Sequence, residues 1–317
     1  MKIFTSFILN KEYKRLEKPG DKLAEVNRLI DWEAFRPIVR GMYKNQTERG
    51  GRHSMDEVLM IKLIVLQQWH RLSDPELERK VADRISFCKF LDFPETIPDY
   101  STAWYFKERM AETGKDREIW MELQKQLDSK GLKVKEGVIQ DATFITADPG
   151  HAPADKPRGP EAQTRKNKDR TWTKKGNKSR FGYKLHTKTD IDYGLIRELE
   201  TTTASVHDSQ IDLSQKGEVV YRDRGYFGTP CMGYSVTMQH RVRGKKFNIR
   251  DKLRNRRISR KRTSGEMPYA VIKQIFKSTH ILVTTLKRTG VKMIFVAFSY
   301  NLQQLKTLKK TGLAIAI

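Results

Sequence analysis

Three acidic residues stand where carboxylate chemistry is worth looking for. The first is Asp141, in Gly137-Val138-Ile139-Gln140-Asp141-Ala142-Thr143-Phe144-Ile145, where alternation puts Ile139, Asp141, Thr143 and Ile145 on one face of a strand. Aspartate is depleted in strands, so this one is either a hydrogen-bonded structural carboxylate or a metal ligand. The second is Asp223, in Val219-Val220-Tyr221-Arg222-Asp223-Arg224-Gly225-Tyr226. Good strand formers run into it and a glycine follows, so it ends a buried strand, the position where open α/β sheets hold ligands. A carboxylate there is costly to bury unless it is paired, hydrogen-bonded or on a metal. The third is Glu266, which opens a helix through Val271, Ile272, Ile275 and Phe276. Thr263-Ser264-Gly265-Glu266 has the form of a capping box, and that alone accounts for a glutamate here.

The elements that position these groups follow from periodicity. Strands are expected over Tyr183 to Ile191 and Leu195 to Thr203, joined by a turn at Asp192-Tyr193-Gly194, and one more from Gly233 to Val242. His207-Asp208-Ser209 reads as the opening of a short helix capped by Asp208 or Ser209, and His207 as a buried structural imidazole, with a helper beside the site as the alternative. Residues 148–180, rich in Pro, Lys and Arg and poor in apolar residues apart from Trp172, read as a long loop. Residues 241–262 carry twelve cations against the single acid Asp251, with Phe247 and Ile249 interleaved. That density of one sign is either a solvated face or a surface that neutralises phosphates, and we expect nucleic-acid contact.

Ahead of this lies a helical region. Ser54-Met55-Asp56-Glu57 and Ser73-Asp74-Pro75-Glu76 both have capping-box form, and apolar residues at helical spacing follow each. A third helix opens at Ser101, and a fourth over 116–130 stops at Gly131. Three short helices with brief connections are compatible with a helix-turn-helix that lays one helix in the major groove, and also with an ordinary bundle packed on the next domain. We divide the chain into an all-α domain expected to bind DNA, residues 1–130, and an α/β domain expected to carry the chemistry, residues 131–317, with the basic loop 148–180 and the basic insertion 241–262.

The bulk numbers narrow the partner. A net charge of +24 in 317 residues is self-repelling and calls for a polyanion, with nucleic acid the first candidate. The sequence has no run of about 18 apolar residues, so no membrane span is expected. The first residues make a poor signal peptide. Cys88 and Cys231 sit in no metal-ligand spacing and read as free thiols in a reducing cytoplasm.

From Asp21 to Leu308 the chain resembles the insertion-sequence transposases of the DDE class, in the branch whose helical N-terminal domain precedes an RNase H-like fold. The resemblance rests on several stretches in order. They include Leu66-Gln67-Gln68-Trp69, Ala82-Asp83-Arg84-Ile85-Ser86-Phe87, Val138-Ile139-Gln140-Asp141-Ala142-Thr143 and Trp172-Thr173-Lys174-Lys175-Gly176. Phe181-Gly182-Tyr183-Lys184, Val206-His207-Asp208-Ser209, Tyr221-Arg222-Asp223-Arg224-Gly225-Tyr226 and Tyr300-Asn301-Leu302 continue it. It implies an RNase H-like mixed sheet flanked by helices, with Asp141, Asp223 and Glu266 as catalytic residues and metal ligands. The family's third motif is Y-x-x-R-x-x-x-E; Arg262 and Glu266 keep its spacing, and Ser259 replaces the tyrosine.

The implied chemistry is strand cleavage and strand transfer on double-stranded DNA, at the element's terminal inverted repeats and at target DNA. Two metal ions roughly 3.5–4 Å apart serve such displacements, here Mg²⁺ with Mn²⁺ as its substitute. We expect Lys174, Lys175, Lys184, Arg224, Lys245, Lys246, Arg256, Arg257, Arg262 and Lys273 to contact DNA, and a homodimer to act in the cytoplasm. A nuclease on the same fold, or a decayed DNA-binding protein that lost catalysis with the tyrosine, are the alternatives.

Overall fold

The computed structural model describes residues 11, 13–14, 20–43, 54–147, 169, 171–241 and 246–312, Lys175 in its backbone only. The chain forms two compact units, Met1–Leu132 with Ile294–Ile317, and Lys133–Met293. Among the described residues, no helix is long and apolar enough to cross a membrane, and Cys88 and Cys231 are free thiols.

The first unit is helical: α1 (Lys22–Asn27), α2 (Arg36–Arg40), α3 (Glu57–His70), α4 (Asp74–Asp83), α5 (Ile85–Phe90), α6 (Tyr100–Thr113) and α7 (Lys115–Ser129). Helix α3 is buried on nearly every side, as a sequence apolar all round requires. The polar groups it buries are paired: Glu57 with Arg36, and Lys62 with Asp92 at 2.5 Å. The capping box at Ser73–Glu76 forms as expected. At α3, however, the cap is Asp56, whose carboxylate accepts from Leu59 N, so Ser54 lies outside the helix. Phe298 of α10 (Leu286–Lys310) packs against Trp32 and Phe35 in this unit.

The second unit is built on a seven-stranded mixed sheet: β1 (Val138–Ala147), β2 (Thr171–Lys175), β3 (Lys178–Asp190), β4 (Ile196–Thr203), β5 (Val219–Arg222), β6 (Tyr234–Thr237) and β7 (His280–Ile281). The order β2-β3-β1-β5-β6 is antiparallel on the β3 side of β1 and parallel from β1 through β5 to β6, with β4 on β3 and β7 on β1. Helix α8 (Ile249–Arg262) follows β6, a 3-10 turn covers Thr263–Gly265, and α9 (Glu266–Ala270) runs on into a π-helical turn, Val271–Ile275.

Three local expectations change. Part of the basic loop is a ribbon: β2 pairs antiparallel with Lys178–Gly182 of β3 across a two-residue turn, where Gly176 has φ +62°. The Gly-Asn pair suits such a tight turn, but lysines and arginines obscured the flanking strands. His207 is exposed, and its Nδ1 accepts from Ser209 N at 3.2 Å, so the histidine itself caps the short turn Asp208–Gln210. The box expected at Thr263–Glu266 is not formed, because α9 has no side-chain cap. Capping therefore does not account for Glu266.

The buried imidazole is instead His186 on β3, fully enclosed, with Nε2 2.9 Å from Thr202 Oγ1. Burial pushes its pKa down from 6.5 to about 4. The unfolded chain therefore takes up a proton that the fold refuses. The stabilisation is complete above 6.5 and is lost as pH falls toward 4. We expect acidification across that window to cost up to about 3 kcal/mol at 1.36 kcal/mol per pKa unit. Thermal melts of His186→Gln should show a shallower fall than the wild type, and parallel curves would dismiss this imidazole as the cause.

Candidate active site

Strands β1 and β5 are parallel neighbours, with Val138 opposite Val220 and Ile139 opposite Tyr221. Side chains alternate along strands, so Ile139, Asp141, Tyr221 and Asp223 point to one face. The two aspartates stand two steps beyond the last paired residues, on chains about 5 Å apart. Asp223 leaves the strand as the N-cap of a short turn, its Oδ1 accepting from Gly225 N at 2.8 Å. A Cβ at Gly225 would meet that same oxygen at 3.0 Å. Asp141 Oδ1 accepts from its neighbour Ala142 N at 2.9 Å, and Oδ2 lies 3.4 Å from Arg262 Nη2. Among the described residues, each aspartate thus keeps its Oδ2 clear of backbone hydrogen bonds.

Burial raises the Asp141 carboxyl above its usual range; the Arg262 guanidinium opposes this, and the charges of Asp223 and Asp208 add to it. Three carboxylates are therefore within electrostatic reach of one another, with Arg262 beside Asp141 and Lys184 beside Asp208. Tyr226 completes the surroundings. Its ring is buried, its hydroxyl has no hydrogen-bond partner among the described residues, and burial followed by the charges of Asp208, Asp141 and Asp223 raises its pKa. In the sequence Tyr226 is one residue of a motif, with nothing to mark it as part of a site.

The segment carrying the third motif packs on this same face. A Cβ on Gly265 would come within 2.7 Å of Ile139 Cγ2, so only glycine lets the chain lie this close to β1. One turn on, Tyr269 Oη donates to the Asp141 carbonyl at 2.7 Å and pairs with Thr187 Oγ1 at 2.7 Å. No sequence signal marked Tyr269, one of the aromatics in an amphipathic stretch. Glu266 sits three residues before it, on the same helix face. Its side chain is exposed and makes no hydrogen bond or ion pair among the described residues. The fold brings Asp141, Asp223 and Arg262 together and holds Glu266 about one helical turn away.

Apart from Arg262, half-buried beside Asp141, the expected DNA contacts fall into three sets. Lys174, Arg224, Lys246, Arg256, Arg257 and Lys273 are exposed; Arg224 lies over the Phe247 ring and Lys273 over Tyr269. Lys184 is engaged, donating to Val206 O at 2.7 Å and Asp208 Oδ1 at 2.9 Å. Lys245 and the Lys175 side chain lie outside the described residues. Helix α8 is docked by Asn255, which pairs with both backbone groups of Gln239, and by Arg254, which donates to Thr237 O. Between it and the sheet opens a cleft of about 900 Å³ lined by Tyr221, Val236, Arg250, Arg254, Arg257 and Lys261 among others. Ser259 is exposed on α8.

Among the described residues, no three His, Cys, Asp or Glu side chains are grouped closely enough to hold a metal ion. The aspartate pair nonetheless suits one. It offers hard oxygen donors, which divalent Mg²⁺ and Mn²⁺ accept while retaining waters. It also lies beside an orphaned phenol hydroxyl and under mutual repulsion that a cation would relieve.

Residues 11–109 match the family described as Transposase domain (DUF772), and residues 132–302 match the Transposase DDE domain. No solved structure matches the chain. The second match spans more than half of the sequence and contains the aspartate pair, Arg262 and Glu266. The chain therefore belongs to the DDE transposases of insertion elements, nucleotidyl transferases that act on DNA and depend on a divalent metal.

Proposed function

We propose that Asp141 and Asp223 hold the catalytic Mg²⁺, with Mn²⁺ able to replace it, and that Glu266 joins them as the third carboxylate. The observation that carries this is the placement of both aspartates on one sheet face, each two residues beyond the paired part of parallel β1 and β5. Glu266 is one turn from the Tyr269–Asp141 contact, so a change of side-chain rotamer is a smaller step than any refolding. Ions held by these carboxylates would supply an activated oxygen nucleophile and charge stabilisation on the leaving oxygen.

The chain's own groups do the rest. Arg262, beside Asp141, is placed to balance charge on a phosphate brought to the pair. The cations of α8 and of the cleft beneath it neutralise backbone phosphates and set the duplex in register without reading its sequence. In this reading the enzyme cuts at the terminal inverted repeats of its element and joins the freed 3′-hydroxyl to target DNA. It works in the cytoplasm as a homodimer, since two ends must be cut.

The test uses duplexes copied from the DNA that flanks the gene. We expect Mg²⁺-dependent nicking at the repeat boundary, none in EDTA, and joining of a pre-cut end to plasmid DNA. Cutting without joining would favour the nuclease, and binding without either would favour a decayed DNA-binding protein.

A further inference from the structure

The ribbon made by β2 and the start of β3 has no role in the chemistry above, yet its composition is pointed. Residues 171–181 contain four cations and no acid. Lys174, Lys178 and Arg180 are exposed, and Trp172 is 59% exposed although its ring leans on Phe181 at 5.1 Å. An exposed tryptophan on a basic ribbon joins the two features that single-strand binding requires, a π-face and phosphate-neutralising charge.

Register fixes where that ring lies. Asp141 is opposite Thr187, and Trp172 is opposite Phe181. Counting by twos along β3 puts Thr187, Leu185, Tyr183 and Phe181 on the aspartate face, and Trp172 and Lys174 with them. The contact of Arg180 with Phe144, on the opposite face, shows that the alternation continues through Gly182. Six residues separate Thr187 from Phe181, about 20 Å of strand. That is roughly six nucleotides of a DNA strand at about 3.4 Å each.

We propose that the β2–β3 ribbon is a DNA-gripping arm, in which Trp172 stacks on an unpaired base of the substrate while Lys174, on the same face, holds a flanking phosphate. The inference rests on the DNA-cutting function proposed above. A paired duplex hides base faces in its stack, so a ring of this size finds one only where the strand is frayed or opened. A contact with a second copy of the chain would not call for the ring's cationic border.

The test is binding by fluorescence anisotropy, in EDTA, of two labelled probes: a flush-ended duplex and the same duplex with a short unpaired end. The wild type should prefer the unpaired end. Trp172→Phe, which keeps a π-face, should retain that preference. Trp172→Leu, which keeps apolar bulk against Phe181 without one, should lose it with about a tenfold fall in affinity, in line with a stacked base. If Trp172→Leu and Trp172→Ala bind both probes as the wild type does, the proposal is overturned alone. It is overturned equally if Trp172→Ala changes only the sedimentation of the protein. If the wild type binds neither probe, the DNA-cutting function falls and this inference falls with it.

Discussion

Asp223→Asn is expected to lower metal-dependent strand cleavage on the order of a thousandfold or more, about 4 kcal/mol of barrier at 1.36 kcal/mol per tenfold. The substitution is chosen for what it preserves. Asparagine keeps an oxygen to accept from Gly225 N, so the turn Arg224–Tyr226 stays capped. What it removes is the negative charge that pairs with Asp141 across β1 and β5. Folding should not suffer, because the lost charge repels Asp141 in the absence of metal. DNA binding should persist through the exposed cations of α8. A second readout separates the site from a general effect: Mn²⁺ titrated against the mutant by calorimetry should bind far more weakly than to the wild type. Cleavage at the wild-type rate by Asp223→Asn would remove this residue from the centre, and Glu266→Gln in the same assay tests the third position.

The aspartate pair was legible because an acid in or at the end of a strand contradicts both propensity and solvation, and that contradiction is local. Arg262 was legible from its spacing to Glu266, and its contact with Asp141 gives that spacing a physical sense. The ribbon was not legible, since its strands carry lysine and arginine where alternation is usually read from apolar residues. Only the Gly176-Asn177 turn and the Trp172–Phe181 pair marked it. Tyr269 and Tyr226 escaped for a different reason. Each matters through a neighbour far away in sequence, and nothing within a short window shows which aromatic in a helix or turn will face a carboxylate. The packing of residues from Ile294 onward with the N-terminal helices is of the same kind. An amphipathic helix announces a buried face and does not name its partner.

The largest effect on folding should come from Arg222, a guanidinium with no exposed surface, one residue before Asp223. It points to the face of β5 opposite the aspartates. There it donates to Gln140 Oε1 at 2.7 Å and Pro230 O at 3.1 Å, pairs with Asp212, and lies over the Tyr226 ring. These partners tie together β1, the segment before β5 and the loop into β6, so one side chain fixes the backbone that presents Asp223. Arg222→Ala leaves Asp212 without its cation and Gln140 Oε1 with only the longer bond from Leu213 N, at 3.4 Å. Breaking a buried pair this way costs ~3–5 kcal/mol, and since Asp212 retains some solvent we expect the lower end. A melting point lower by roughly 6–12 °C follows for a unit of this size. Arg222→Lys should recover only part, because one ammonium cannot span acceptors set for a planar fork. Adding Asp212→Asn to Arg222→Ala removes the stranded charge, so the double variant should be more stable than Arg222→Ala alone. Mn²⁺ affinity at the aspartates should fall with Arg222→Ala even below its melting point. If that variant melts with the wild type and binds Mn²⁺ equally well, the clamp does not position Asp223.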